Sequence, residues 1–165
     1  MKTGVHHIGD WQLAKSIFST LKKDLQQIQK VALMQIGLEA EKLAKKHITS
    51  QDLGWTPLRE KYKSYKIKKG KSEKILVRTS SYLQSITSWV NPPWAYAGVK
   101  KTAKSKEGKL LADIAKTLEY GSVKMNIPPR PLWSVVLEET KTFAKNDDTL
   151  AKVARKHFHK KLKIK

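Results

Sequence analysis

The sequence predicts an α+β fold, with a long N-terminal helix and C-terminal helices packed on a small antiparallel β-sheet. Three observations carry this expectation. Apolar residues recur at helical spacing at both ends of the chain, from Ala14 to Leu43 and from Leu132 to Phe158. The middle holds "SITSWVNPPWAYAGV", two strand-like runs around a proline turn. Helical and strand patterns do not alternate, so a parallel βαβ sheet is not expected. With 165 residues, 39% of them hydrophobic, the chain supports one domain with one core.

Residues 1–9 read as a loose lead-in. His6 and His7 lie there, a pair short of the three or four ligands a firm metal site needs. Asp10 is placed to cap a helix starting at Trp11. The stripe Ala14, Ile17, Phe18, Leu21, Leu25, Ile28, Ala32, Ile36, Leu43 carries that helix to about Ile48. At 1.5 Å per residue it is roughly 55 Å long. A helix of that length bends, near Gly37, or overhangs the core and meets a partner; the alternative is two core helices with a tight join. Gly54 marks a turn, Thr56 a cap, and Pro57 the first position of a second helix that puts Leu58, Tyr62 and Tyr65 on one face. The lysines around Gly70 read as an exposed turn.

Ile75 to Val77 is a short β-type run, and Thr79, Ser80 or Ser81 caps a short helix bearing Leu83 and Ile86. Two strands then flank Asn91-Pro92-Pro93. Residues 100–109 form a mobile basic loop. Leu110, Leu111, Ile114 and Leu118 mark a helix stopped by Gly121. After an extended stretch, Pro131 opens a helix with Leu132, Val135, Val136 and Phe143 inside. Asp147 or Asp148 caps the last helix, and residues 159–165 are a basic tail.

Charge narrows the function. The chain has 34 Lys and Arg against 14 Asp and Glu, a net +20. That exceeds what solubility needs and favours a polyanion or acidic protein nearby. There are no cysteines, which removes disulfides, thiolate metal sites and Cys nucleophiles. The start has no apolar core of a secretory signal, and no stretch approaches the roughly 18 apolar residues of a membrane span.

Catalytic patterns are thin. There is no G-x-S-x-G elbow and no phosphate-binding Gly-rich loop. His157 and His159, two apart, point to different helix faces and read as solvated. Asp113 with Glu119, and Glu138 with Glu139, pair only on paper. The sequence is therefore read as non-enzymatic, with no cofactor and no metal. The basic segments Lys61–Lys74, Lys100–Lys109 and Arg155–Lys165 remain, and they suit phosphate attraction without base readout. Tyr62 and Tyr65 are the aromatics interleaved with them; packing against Leu58 is the expected use, stacking on single strands the other.

Four segments follow one another in a recognisable order: Trp55-Thr56-Pro57-Leu58, then "ILVRTSSYLQSI", then, after the β-rich middle, "IAKTLEYGS" and "IPPRPLW". This order resembles the phage virion-morphogenesis proteins, the tail-completion or neck family of Mu-like and related tailed phages. In that family the second element usually reads Leu-x-x-Thr-Gly-x-Leu-x-x-Ser-Ile. Here Thr79, Leu83, Ser85 and Ile86 match, and Ser80 or Ser81 stands where Gly is usual. The third usually reads His-Glu-Phe-Gly-Thr, against Leu118-Glu119-Tyr120-Gly121-Ser122. The last, Ile-Pro-x-Arg-Pro-Phe, appears as Ile127-Pro128-Pro129-Arg130-Pro131-Leu132. The resemblance spans about Trp55 to Glu139. The Gly-to-Ser departure puts the local turn in question, because a positive φ disfavours Ser.

The resemblance implies a structural virion protein that forms a ring, often sixfold, around the DNA channel at the head–tail junction or tail end. It would be made in the host cytoplasm and would touch neck, connector or tail-tube proteins, with no membrane partner. Six copies at +20 would total roughly +120, costly without a polyanion or acidic neighbours. The lysines expected to face channel DNA or such neighbours are Lys66, Lys68, Lys69 and Lys71, with Lys100, Lys101, Lys104 and Lys106 in the loop. Arg130 is expected to make a forked ion pair, across a ring interface or within the subunit. The other reading is a free, sequence-nonspecific nucleic-acid-binding protein.

Overall fold

A computed structural model describes residues 9–105 and 107–162. The element order is α1 (Trp11–Ser50), α2 (Glu60–Lys68), α3 (Ser81–Ser85), β1 (Ile86–Asn91), β2 (Trp94–Val99), α4 (Leu111–Tyr120), α5 (Trp133–Asn146) and α6 (Thr149–Leu162). This is the expected α+β arrangement.

α1 is one helix of 40 residues, roughly 60 Å, rather than two. The Asp10 side chain accepts from the Leu13 N–H and opens it, as expected. Gly37 lies buried inside it. A Cβ there would sit 3.4 Å from that of Ser88, so the glycine lets the hairpin lie close on the helix.

β1 and β2 pair antiparallel, with Ile86 opposite Val99 and Asn91 opposite Trp94. Residues 92 and 93 make the turn, through a cis Pro92-Pro93 bond. Trp89 faces Tyr96 across the ladder, rings 5.4 Å apart and nearly parallel, a stacked cross-strand pair. A two-stranded hairpin is marginal alone. Here it packs against α1, and the Ser88 hydroxyl donates to Glu41 of that helix.

α1 is the common partner of the hairpin, α5 and α6. The main core combines Ala40, Ala44 and Ile48 of α1 with Trp55, Val77, Tyr82, Ile86, Leu132 and Val136. A second, smaller core joins Ile28 and Ala32 of α1 to Val153 of α6, flanked by Val31, Ala154 and Phe158.

Four local expectations are corrected. Thr56 and Pro57 do not open α2, which starts at Glu60 behind Arg59, because Thr56 offers its carbonyl to a distant arginine. Ile75 to Val77 is not a strand. Its backbone groups are taken by side chains instead: Gln51 bonds both N–H and C=O of Ile75, and Lys66 takes the carbonyls of Lys74 and Val77. Ile86 belongs to β1 rather than to α3. α5 begins at Trp133, two residues after Pro131.

Candidate functional site

The four motif segments, far apart in sequence, close on one another. The indole Nε1 of Trp55 donates to the Pro131 carbonyl at 2.9 Å. Nε and Nη2 of Arg130 both donate to the Thr56 carbonyl, at 3.3 and 3.2 Å. The first and last motifs are thus tied twice across more than seventy residues.

Glu119 supplies the third tie. Its Oε2 accepts from the N–H groups of Leu132 and Trp133, and its Oε1 from Ser134. The carboxylate caps α5 from another helix, meeting three N–H groups that the first turn cannot satisfy itself and the positive end of the helix dipole.

Gly121 ends α4 at φ +75°. A Cβ there would lie 2.8 Å from both the Ile127 oxygen and the Pro129 nitrogen. Ser122 and Ile127 exchange backbone bonds of 2.8 and 2.9 Å around the turn 123–126. The Arg130 N–H then donates to Leu118 at 2.7 Å, so the proline segment runs back against the end of α4. Pro128 is half-buried here, and Pro131 is exposed although its carbonyl is used. Tyr120 points outward, 77% exposed. In the second motif, Ile86 is buried, Leu83 packs against the main core and the Ser85 hydroxyl bonds Tyr82. Ser80, one of the two serines weighed against the glycine of the resembled pattern, has φ +58° and so adopts the left-handed conformation.

Arg130 makes no ion pair among the described residues. It is 6% exposed and held by carbonyls, so the expectation of a forked pair gives way to an internal clasp. Lys66, expected to face DNA or a partner, is 2% exposed. Its ammonium donates to the Lys74 and Val77 carbonyls at 2.8 and 3.1 Å. Burial lowers the ammonium's pKa, and the nearby charges of Arg130 and Arg78 push it the same way. Lys66 points inward because α2 lies on the cleft wall. Its neighbours Lys68 and Lys69 are exposed and Lys71 is half-buried. Lys100, Lys101 and Lys104 are exposed, and Lys106 lies outside the described residues.

Between these elements lies a cleft of about 1010 Å³. Its walls are largely aliphatic: Leu58, Leu76, Ile114, Leu118 and Ile127. Five cationic side chains line it, Arg59, Lys66, Arg78, Lys109 and Arg130, against one carboxylate, Glu107. Tyr62 also lines it, while Tyr65 stacks on Tyr62 with centroids 6.3 Å apart and both remain partly exposed.

Two further clusters escaped the sequence reading. The buried His47 ring bonds Asp52 through Nδ1 at 2.7 Å and Glu139 through Nε2 at 3.0 Å. Burial opposes its charge, and the two carboxylates outweigh burial and raise its pKa. On the other end of α1, Asp24 bonds Thr20, Lys161 and His157. Lys161, then His157, hold its carboxyl down at about 2. His157 is thus a clamp between α6 and α1 rather than solvated. Neither cluster is a legible motif, because each joins single polar residues from helices that packing alone brings together.

No group of three or more His, Cys, Asp or Glu side chains among the described residues is placed to hold a metal ion. No helix among them is long and apolar enough to cross a membrane. Comparison with protein-family models, with curated proteins and with solved structures finds no match to this chain.

Proposed function

We propose that this chain is a structural virion protein of a tailed phage, a tail-completion or neck subunit that assembles as a ring around the DNA channel. The observation that carries the reading is the clasp of three of the motifs over a core that the second one shares. Their order resembles the neck family, and the side chains that define them act on one another: Trp55 on Pro131, Arg130 on Thr56, Glu119 on the start of α5. The shared residues are spent on holding a shape, which suits a subunit whose work is to present surfaces.

Two features supply those surfaces. The N-terminal part of α1 overhangs the main core, with Phe18 73% and Leu25 54% exposed at a seven-residue spacing. A neighbouring copy would cover them, as heterologous contacts do in closed rings. The exposed Lys68, Lys69, Lys100, Lys101 and Lys104 supply the positive field that channel DNA or acidic neck proteins would meet.

The mass of nuclease-treated protein in solution, at low and high salt, tests this. A discrete ring, alone or on adding tail or connector extract, is expected. Phe18→Ser with Leu25→Ser should lower the fraction in rings without unfolding the subunit. A strict monomer that ignores virion parts, yet binds DNA with a steep salt dependence, would overturn the reading in favour of a free nucleic-acid-binding protein.

A further inference from the structure

The cleft beside the motif clasp presents an unusual electrostatic arrangement. Buried charges are normally paired, because removing an ion from water is costly. Arg130 and Lys66 are both more than nine-tenths buried, both line the cleft, and neither has a carboxylate within ion-pair distance among the described residues. Carbonyl oxygens satisfy part of their hydrogen-bonding capacity and none of their charge. Arg130 bonds through Nε and Nη2 only. Among the described residues no buried side-chain nitrogen or oxygen lacks a partner, so Nη1, which makes no hydrogen bond there, is not sealed off, and Arg130 lines the cleft. Arg59 and Lys109 add positive charge at the lining. The one carboxylate there, Glu107, is already engaged by Arg78 at 3.0 Å.

We propose that this cleft binds a short peptide segment of a partner protein, apolar in its side chains and carrying at least one carboxylate. The carboxylate sits on Arg130 Nη1 above Lys66, and the aliphatic walls take the flanking side chains. The volume falls at the top of the usual range for enclosed ligand sites. Charge identifies the occupant as another protein: a chain with 14 acidic against 34 basic residues is a poor source of such a segment. The aliphatic walls argue against nucleic acid, which would use stacking platforms and a cationic track. The exposed Lys68, Lys69, Lys100, Lys101 and Lys104 do not line the cleft. The inference rests on the cleft and does not depend on the phage reading.

The test uses the full chain and a fluorescent peptide of alternating leucine and glutamate, its leucine–glutamine counterpart, and a DNA duplex. The glutamate peptide should bind about tenfold or more tighter than the glutamine one, and should keep most of its affinity at about 0.5 M salt, because a sheltered pair is poorly screened. Arg59→Gln should weaken it several-fold, and Arg130→Met or Lys66→Met should abolish it. Lys68→Gln with Lys69→Gln should leave it unchanged. Because the buried variants can fail to fold, the unaltered protein is also followed by NMR: the peptide should shift the Arg130 Nε–H and the Gly121 and Asn126 amides. Equal binding of both peptides would overturn the proposal. So would the same cleft resonances responding to DNA, loss of affinity in the surface-lysine variant, or closure of the cleft by self-association.

Discussion

The two halves of α1 sit in different company. From Ala40 to Ile48 the helix is buried in the main core, and the elements around it are locked by directional ties: an indole on a carbonyl, a guanidinium on a carbonyl, a carboxylate across three N–H groups. Toward the N-terminus the fully buried apolar residues are Ile28 and Ala32, against α6, and a charged cluster centred on Asp24 joins the two helices. The lesson is that a single helix can be scaffold at one end and arm at the other. What differs is how many elements pack on it: the hairpin, α5 and the motif segments at one end, α6 at the other.

Substitutions at the clasp should break the contrast from its strong side. The largest effect is expected from Gly121→Ala, which combines φ +75° with a Cβ 2.8 Å from two backbone atoms. A loss of about 3 kcal/mol or more in denaturant unfolding follows. Glu119→Ala should cost about 2 kcal/mol by stranding the N–H groups of α5, and Glu119→Gln less, because one oxygen survives. Calorimetry of the pair separates the cap from mere burial.

His47 lets the comparison be sharpened by pH. Its folded pKa is raised, so the stability it gives is fully present below the unfolded value of 6.5 and is lost as pH rises through the folded value. His47→Gln should cost about 1–2 kcal/mol at pH 6 and flatten the decline expected above pH 6.5 in the parent protein. At Ser80, replacement by Gly should stabilise by about 0.5–1 kcal/mol in chemical unfolding, since φ +58° strains any residue with a Cβ. The smallest global effect is expected at Asp24. Its pKa is depressed to about 2 from 3.8, so its contribution is present above pH 3.8 and lost as pH falls toward 2. Asp24→Asn should raise hydrogen exchange in α6 several-fold at neutral pH while leaving Tyr82 and Ile86 protected.

The helices and the hairpin were legible in the sequence because they rest on local signals: the 3.6-residue stripe, Asp10 as a cap, the proline turn between strand-like runs. The errors fell where long-range polar contacts override local preference. Thr56-Pro57 has the signature of a helix start, but Arg130 claims the Thr56 carbonyl. Ile75 to Val77 has β-type side chains, but Gln51 and Lys66 claim its backbone. Lys66 sat in a lysine run that composition reads as solvent-facing, and no local pattern marks the one lysine of that run that turns inward. The motifs themselves could be quoted from sequence. That they form one clasp, with a cationic cleft beside it, emerges only from the fold.

Hydrogen exchange along α1, followed in the isolated subunit and in the assembled state, tests the central claim most directly. In the subunit, amides of residues 14–27 should exchange faster than those of 40–48. On assembly the arm should gain protection while the clasp stays as it was. Uniform exchange along the helix in the subunit, with no change in the arm on assembly, would contradict the division into scaffold and arm.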